Sequence, residues 1–569
     1  MRARFTSRIR LLSGAILLVA LILIGRLYHV QIIHGKEYSE EANGQYVNPG
    51  TNLYDRGTIF LSDKDGRLVS GATLKSGYMV TVNPSILEDP NDAYQKLSTV
   101  LSLDRDDFIK RVSRKSDVYE EVAKKITKEQ ADAVRKLGVY GVTVLKERWR
   151  YYPGDELAAH TLGFVGFLGE QYAGRYGLER YYDDTLSRDD SKLYVNFFAE
   201  IFSNISRTLF TQKSSAGDLI TTIEPSVQLF LERKLQTLQE KWGSKLSAGI
   251  IIDPHTGEII ALAVAPTFNA NTFYEEESTE IFTNPLVERV YEMGSIIKPL
   301  TMAAGIDSGA ITAETQYHDT GSLTLDGSTI SNFDGKARGT VEMQEVLSQS
   351  LNIGAAFIAG EMGSETLREY FYSFGMNTET GIDLPGEVHG LTGNLESPRD
   401  IEYATASFGQ GIAISPIETV RALSTLANGG RLITPHIVRE IQYRSGISKR
   451  VTYKDDEYVL APETTEAVTR MLVKVVDEEL AHGEAKFDHY SMAAKTGTAQ
   501  IAKTGARGYY DDRYLHSFFG YFPAYDARFL IFYMTIEPND VRYASQTLTD
   551  PFVETVKYLI NYYDIPPDR

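Results

Sequence analysis

A serine three residues ahead of a lysine shares a helical face with it. That spacing sets a hydroxyl beside an amine, a nucleophile next to a base that is not histidine. Ser295-Ile296-Ile297-Lys298 is the one Ser-x-x-Lys in the 569 residues. Alone it would read as a helix-capping serine and a solvated lysine. Two further groups follow in order, Ser350-Leu351-Asn352 and Lys495-Thr496-Gly497-Thr498. Together the three supply what acyl transfer needs: a nucleophile, a base, an oxyanion site and a clamp for the substrate.

Ser295 is the expected nucleophile. Gly294 permits close approach, and a serine at a helix start lies near free backbone N–H groups and the positive end of the helix dipole. Pro299 is tolerable there because first-turn amides have no partner inside the helix. Lys298 is the expected base. It must be neutral to accept a proton, so its pKa has to fall from an ordinary value of about 10.4. Burial among Ile296, Ile297 and Leu300 would lower it, and Lys495 would add a second cation. Ser350 is placed to relay a proton to a leaving amine, and Asn352 to donate to a substrate amide carbonyl. Lys-Thr-Gly recurs at Lys503-Thr504-Gly505, but that copy runs into a polar hairpin loop. The first copy continues as a strand, with Gly497 admitting a ligand backbone. A peptide lying along it would offer its terminal carboxylate to Lys495, Thr496 and Thr498. The N–H groups of Ser295 and Thr498 would form the oxyanion hole.

The elements that must position these groups are legible in outline. Residues 76–82 read as a strand, 90–101 and 128–137 as helices, the first capped by Asp89 with Pro90 at its first position. Residues 219–223 read as a strand and 226–242 as a helix. A hairpin over 248–264 turns at Asp253-Pro254-His255-Thr256-Gly257. A helix is expected near 553–563. Strand, helix and hairpin ahead of the Ser-x-x-Lys helix predict an α/β (α+β) domain, a mainly antiparallel sheet flanked by helices.

Net charge −18 argues against nucleic acid as a partner. With no cysteine, disulfides, thiolate chemistry and cysteine-ligated zinc are excluded. No cofactor and no metal are expected. Residues 1–10 carry Arg2, Arg4, Arg8 and Arg10 and no acid, and an apolar run follows to Ile33. This predicts a cytoplasmic tail at 1–10, one transmembrane helix at 11–33 and an extracytoplasmic remainder. A cleaved signal peptide is the competing reading, but no small-residue cleavage site follows the run. Residues 34–216 show no converging acid, base or nucleophile and read as a spacer and binding module. Within them, Phe197, Phe198, Ile201, Phe202, Ile205, Leu209 and Phe210 recur near helical period in an insertion at about 187–213. They read as a core-facing helix or one lying on a membrane or partner. Residues 217–569 form the catalytic domain.

The chain resembles class B penicillin-binding proteins, the monofunctional peptidoglycan D,D-transpeptidases. The three motifs carry the likeness. So do Arg56-Gly57-Thr58-Ile59, Asp65-Gly66-Arg67-Leu68, Glu147-Arg148-Trp149-Arg150, Ala158-Ala159-His160, Gly174-Arg175-Tyr176-Gly177-Leu178-Glu179, Gly381-Ile382-Asp383-Leu384-Pro385-Gly386 and Ser407-Phe408-Gly409-Gln410-Gly411. Ser350-Leu351-Asn352-Ile353-Gly354 is most like the cell-division branch. The resemblance implies a penicillin-binding fold behind a non-catalytic pedestal of the dimerisation type. It implies a D-Ala-D-Ala stem-peptide donor, a Ser295 acyl-enzyme with release of D-alanine, an amine acceptor and covalent inhibition by β-lactams. It implies septal cell-wall synthesis beside a polytopic membrane glycosyltransferase and other division proteins. An elongation-type enzyme and a membrane-tethered β-lactam sensor are the alternatives. A β-lactamase would need a deacylating base, which the motifs do not reveal.

Overall fold

The computed structural model describes residue 23 and residues 54–168, 171–188, 216–453, 457–503, 505 and 508–569. The expected transmembrane helix at 11–33, bar residue 23, and the phenylalanine-rich run 193–210 lie outside the described residues. Among the described residues no helix is long and apolar enough to cross a membrane.

The chain packs as two compact units. The described residues of the first are 75–149 with residues 23, 54 and 55; the second takes residues 56–74 and 150–569. Residues 56–74 fold with the second unit because Ile59–Ser62 pairs in parallel with Gly217–Thr221, which in turn pairs with Val438–Tyr443.

In the first unit, helices Pro90–Leu97, Arg105–Val112 and Lys128–Leu137 bury Leu97, Phe108 and Val134 against Val80 and Val82. Lys128–Leu137 forms where expected because Thr127 and Gln130 close a capping box and Gly138 turns left-handed after it. Asp89 caps the Pro90 helix as expected. That helix stops at Leu97, short of the expected end at residue 101. Ser98 and Thr99 turn their hydroxyls back onto the carbonyls of Gln95 and Lys96, a local alternative to the helical ladder.

The second unit is built on a five-stranded sheet in which every pair is antiparallel. Its order is Ala493–Ala502, Tyr509–Phe522, Phe529–Ile536, Leu246–Ile252, Ile259–Ala265. Both faces are covered, so Phe529–Ile536 is an almost unbroken apolar run. Alternate side chains serve opposite layers. Phe529, Ile531 and Tyr533 join Val227, Leu231, Leu548 and Phe552 of helices Pro225–Trp242 and Ala544–Tyr563. Leu530, Phe532 and Met534 join Ile296, Leu300 and Met302 on the other side. The last helix begins at Ala544, well before the expected residue 553. Pro551 inside it hides its first two turns from a reading of the sequence.

Candidate active site

Gly294–Ile297 is a single 3-10 turn that runs directly into the α-helix Lys298–Asp307. Residues three apart eclipse one another in a 3-10 turn, which sets Ser295 above Lys298. Ser295 is half-buried, whereas Ile296, Ile297 and Lys298 are buried. Gly294 has φ +65°, and a Cβ there would lie 3.1 Å from the Thr498 carbonyl. The turn is held from three sides. Gly294 N–H donates to the Gly409 carbonyl at 3.0 Å. Thr301 Oγ1 donates to the Ser407 carbonyl at 2.7 Å. Ser517 Oγ donates to the Met293 carbonyl at 2.8 Å. The Ser407–Gly411 stretch thus acts as a brace: a Cβ on Gly409 would sit 2.2 Å from the Gly294 carbonyl oxygen.

Ser350 lies between helices Met343–Ser348 and Asn352–Met362 with φ +54°, a left-handed conformation rarely adopted by a non-glycine residue. That strained turn delivers its hydroxyl to both lysines. Lys298 Nζ donates to Ser350 Oγ at 3.1 Å and to its carbonyl at 2.5 Å. Lys495 Nζ donates to the same Oγ at 3.0 Å. A hydroxyl oxygen accepts two such bonds and keeps its own proton to give.

Burial, and then the charge of Lys495, holds the Lys298 ammonium well below its usual range. Burial lowers Lys495 to about 7. Neither shift is offset by a carboxylate, so the pair is poised to give up protons.

Ala493–Ala502 is an edge strand of the sheet. The Thr496 carbonyl accepts from Lys495 Nζ at 3.0 Å, so it points to the open edge and not into the sheet. In an extended strand a residue's N–H and C=O point the same way and the pattern repeats every second residue. The N–H of Thr498 therefore faces the same open edge. Thr498 Oγ1 accepts from the Ala544 N–H at 3.1 Å. The expected reason for Gly497 is corrected. The space a Cβ would take there is filled by Ser517 Oγ at 2.3 Å and the Met293 carbonyl at 2.8 Å, not left for a ligand. Gly497 is small so that the Ser295 turn can lie on the strand.

Asn352 Nδ2 donates to the Ser331 carbonyl at 2.9 Å, which commits one of its two amide protons. Asn332 accepts from the Ile353 N–H at 3.2 Å and donates to Asp319 at 3.0 Å. Asp319 and Asn332 are buried and hold the start of the Asn352 helix, yet nothing in their sequence spacing marks them. Next to Asn332 the Phe333 ring meets the Tyr543 ring edge-on at 5.8 Å. All eight expected site residues thus lie at one place, where the Ser295 turn, the Ser350 loop and the edge strand converge. Lys503 and Gly505 of the second Lys-Thr-Gly lie in the following hairpin loop; its Thr504 is outside the described residues. Among the described residues no group of His, Asp and Glu side chains could hold a metal ion.

Residues 248–557, over half of the chain, match the family model of the penicillin binding protein transpeptidase domain. Residues 53–222 match that of the penicillin-binding protein dimerisation domain. The chain is 29% identical to stage V sporulation protein D of Bacillus subtilis over 96% of its length and 84% of the relative's. It is 26% identical to the peptidoglycan D,D-transpeptidase FtsI of Escherichia coli K12, covering 100% of this chain and 94% of that one. Its fold is similar to that of penicillin binding protein 3 of Mycobacterium tuberculosis solved with aztreonam (TM-score 0.68, 21% identity, 91% of this chain and 98% of that one). Penicillin binding protein 2X of Streptococcus thermophilus is also similar (TM-score 0.71, 20% identity, 90% and 81%). With two family models matched in tandem and a lysine-flanked serine at the centre of the second, the chain belongs to the class B penicillin-binding proteins.

Proposed function

We propose that the chain is a peptidoglycan D,D-transpeptidase that works through a Ser295 acyl-enzyme. The observation that carries this reading is Ser350 Oγ held by Lys298 Nζ at 3.1 Å and Lys495 Nζ at 3.0 Å, with both amines buried. Neutral Lys298 takes the proton of Ser295 as Oγ attacks the carbonyl carbon of the D-Ala-D-Ala bond. The N–H groups of Ser295 and Thr498 stabilise the oxyanion. As the intermediate collapses, the C–N bond breaks. The proton passes from Lys298 through Ser350 to the departing D-alanine amine. An amine of a neighbouring stem then attacks the ester, its proton returns by way of Lys298 to Ser295, and a cross-link has formed. Lys495, Thr496 and Thr498 hold the donor's terminal carboxylate, Gly497 keeps the strand against the nucleophile turn, and Asn352 orients the donor's amide with its second proton. β-Lactams would acylate the same serine.

We further propose a septal role at the cytoplasmic membrane, with the 11–33 segment as anchor and a polytopic glycosyltransferase and other division proteins as partners. Similarity to an FtsI and the Ser350–Gly354 sequence support it. The pedestal reading of 34–216, with its insertion, belongs to this proposal.

Intact mass of the full-length chain in detergent after exposure to a fluorescent penicillin tests the chemistry. One stable adduct mapping to Ser295 and absent from Ser295→Ala is expected. Rapid turnover of free β-lactam would overturn the transpeptidase reading. A fluorescent fusion spread along the side wall of dividing cells would sink the septal assignment.

A further inference from the structure

Thr498 and His516 sit directly opposite each other in neighbouring strands, so their side chains share a face of the sheet. That face meets the start of the helix Ala544–Tyr563. His516 is fully buried, and both its ring nitrogens are engaged: Nδ1 with Thr547 Oγ1 at 2.9 Å and Nε2 with the Arg542 carbonyl at 3.0 Å. A carbonyl only accepts, so Nε2 carries the proton. In a neutral ring Nδ1 then accepts from the Thr547 hydroxyl at 2.9 Å, in preference to the Ala544 carbonyl, the longer contact of that hydroxyl at 3.1 Å. The histidine therefore clasps two points on either side of Ala544. The Ala544 N–H is the donor that Thr498 Oγ1 accepts at 3.1 Å.

An oxygen that receives an N–H on one lone pair has its own hydrogen turned elsewhere. Thr498 is half-buried on the edge strand, so that hydrogen can reach a group lying along the strand. We propose that His516 is a positioning residue. Through Thr547 and the 542–544 turn it aims the Thr498 hydroxyl at the terminal carboxylate of the donor. This rests on the transpeptidase reading and names what makes its carboxylate clamp rigid. A hydroxyl free to rotate would spend part of its time pointing away, and the charge-assisted bond to the carboxylate would weaken. The carbonyl at the reacting centre does not depend on that bond.

The test compares acylation of the full-length chain by benzylpenicillin and by its methyl ester, which differ only in the carboxylate. Wild type should prefer the free acid by at least about tenfold. Thr547→Val keeps the side-chain volume and leaves Nδ1 without its donor, and it should shrink that preference about fivefold or more. Thr547→Ser, which restores the hydroxyl, should recover it. Because His516 is fully buried, His516→Gln is checked by thermal melting first, and it should shift the same ratio in the same direction. Equal loss of both rates in Thr547→Val would make Thr547 and His516 merely structural and overturn the proposal. So would an unchanged ratio, or a wild type indifferent to the carboxylate. A wild-type chain acylated by neither probe would instead overturn the transpeptidase reading.

Discussion

Two clusters of buried cations in this chain are treated in opposite ways. Arg56 and Arg150 are almost wholly buried, and both clasp Glu179, itself fully buried; Arg56 Nε lies 2.6 Å from one carboxylate oxygen and Arg150 Nε against the other. Burial alone would push Glu179 up, but Arg150 and Arg56 outweigh it and hold the carboxyl below its ordinary range. Lys298 and Lys495 are as deeply buried, but their shared partner is the neutral Ser350 hydroxyl. Their pKa values fall. Guanidinium groups that keep their charge, matched to a carboxylate, make a fixed structural tie. Ammonium groups with no counter-charge become proton carriers. Burial does not mark a functional cation; the missing partner does.

The contrast breaks most visibly at Lys298. Lys298→Met should cut the rate of penicillin acylation about 10³-fold or more while leaving Tm unchanged or raised, measured by intact mass and melting. A large loss of stability would place it with the arginines. At the other cluster, Glu179→Leu leaves two guanidinium groups uncompensated. It should cost about 3–5 kcal/mol of stability by denaturant titration. The fraction that stays folded should acylate at the wild-type rate.

Lys495 sharpens the difference. Its pKa of about 7 lies below the ordinary value of 10.5, so between those values the unfolded chain binds more protons and stability rises with pH. Lys495→Gln removes that dependence and should stabilise the fold at pH 6 by on the order of 1–3 kcal/mol. It also removes the second cation that depresses Lys298, so the acid limb of the acylation–pH profile should move to higher pH. Glu179 gives a pH slope of the same sign but in the acid range, and there it is a stabilisation and not a penalty: it is present at neutral pH and is lost as pH falls below the ordinary carboxyl value. The smallest effect is expected from Asn332→Ala. It frees the start of the Asn352 helix and should slow acylation about tenfold, with little change in Tm.

Much of this was legible in the chain. The order of the motifs singled out Ser295, both lysines and the Lys495 strand, and the fold brings them together. The apolar periodicity of residues 128–137 marked a helix with the bounds the structure gives it, Lys128–Leu137. Other features were hidden for physical reasons. At the last helix the obstacle was Pro551, which reads as a break; packing on the sheet outweighs its local cost and carries the helix through it. Asp319, Asn332, Thr547 and His516 act through contacts between residues far apart in sequence, and no short motif can encode that.

By itself the sequence determined which side chains are candidates for the chemistry, the mainly antiparallel sheet flanked by helices and the helix over 128–137. Each of these depends on residue type and local spacing. Only the tertiary structure decided that Gly497 is small for the Ser295 turn, that residues 56–74 pack with the second unit, and that the Lys298 and Lys495 amines meet on Ser350. Those outcomes depend on which distant surfaces pack together, and the lysine pKa values depend on the water and counter-charge that such packing removes.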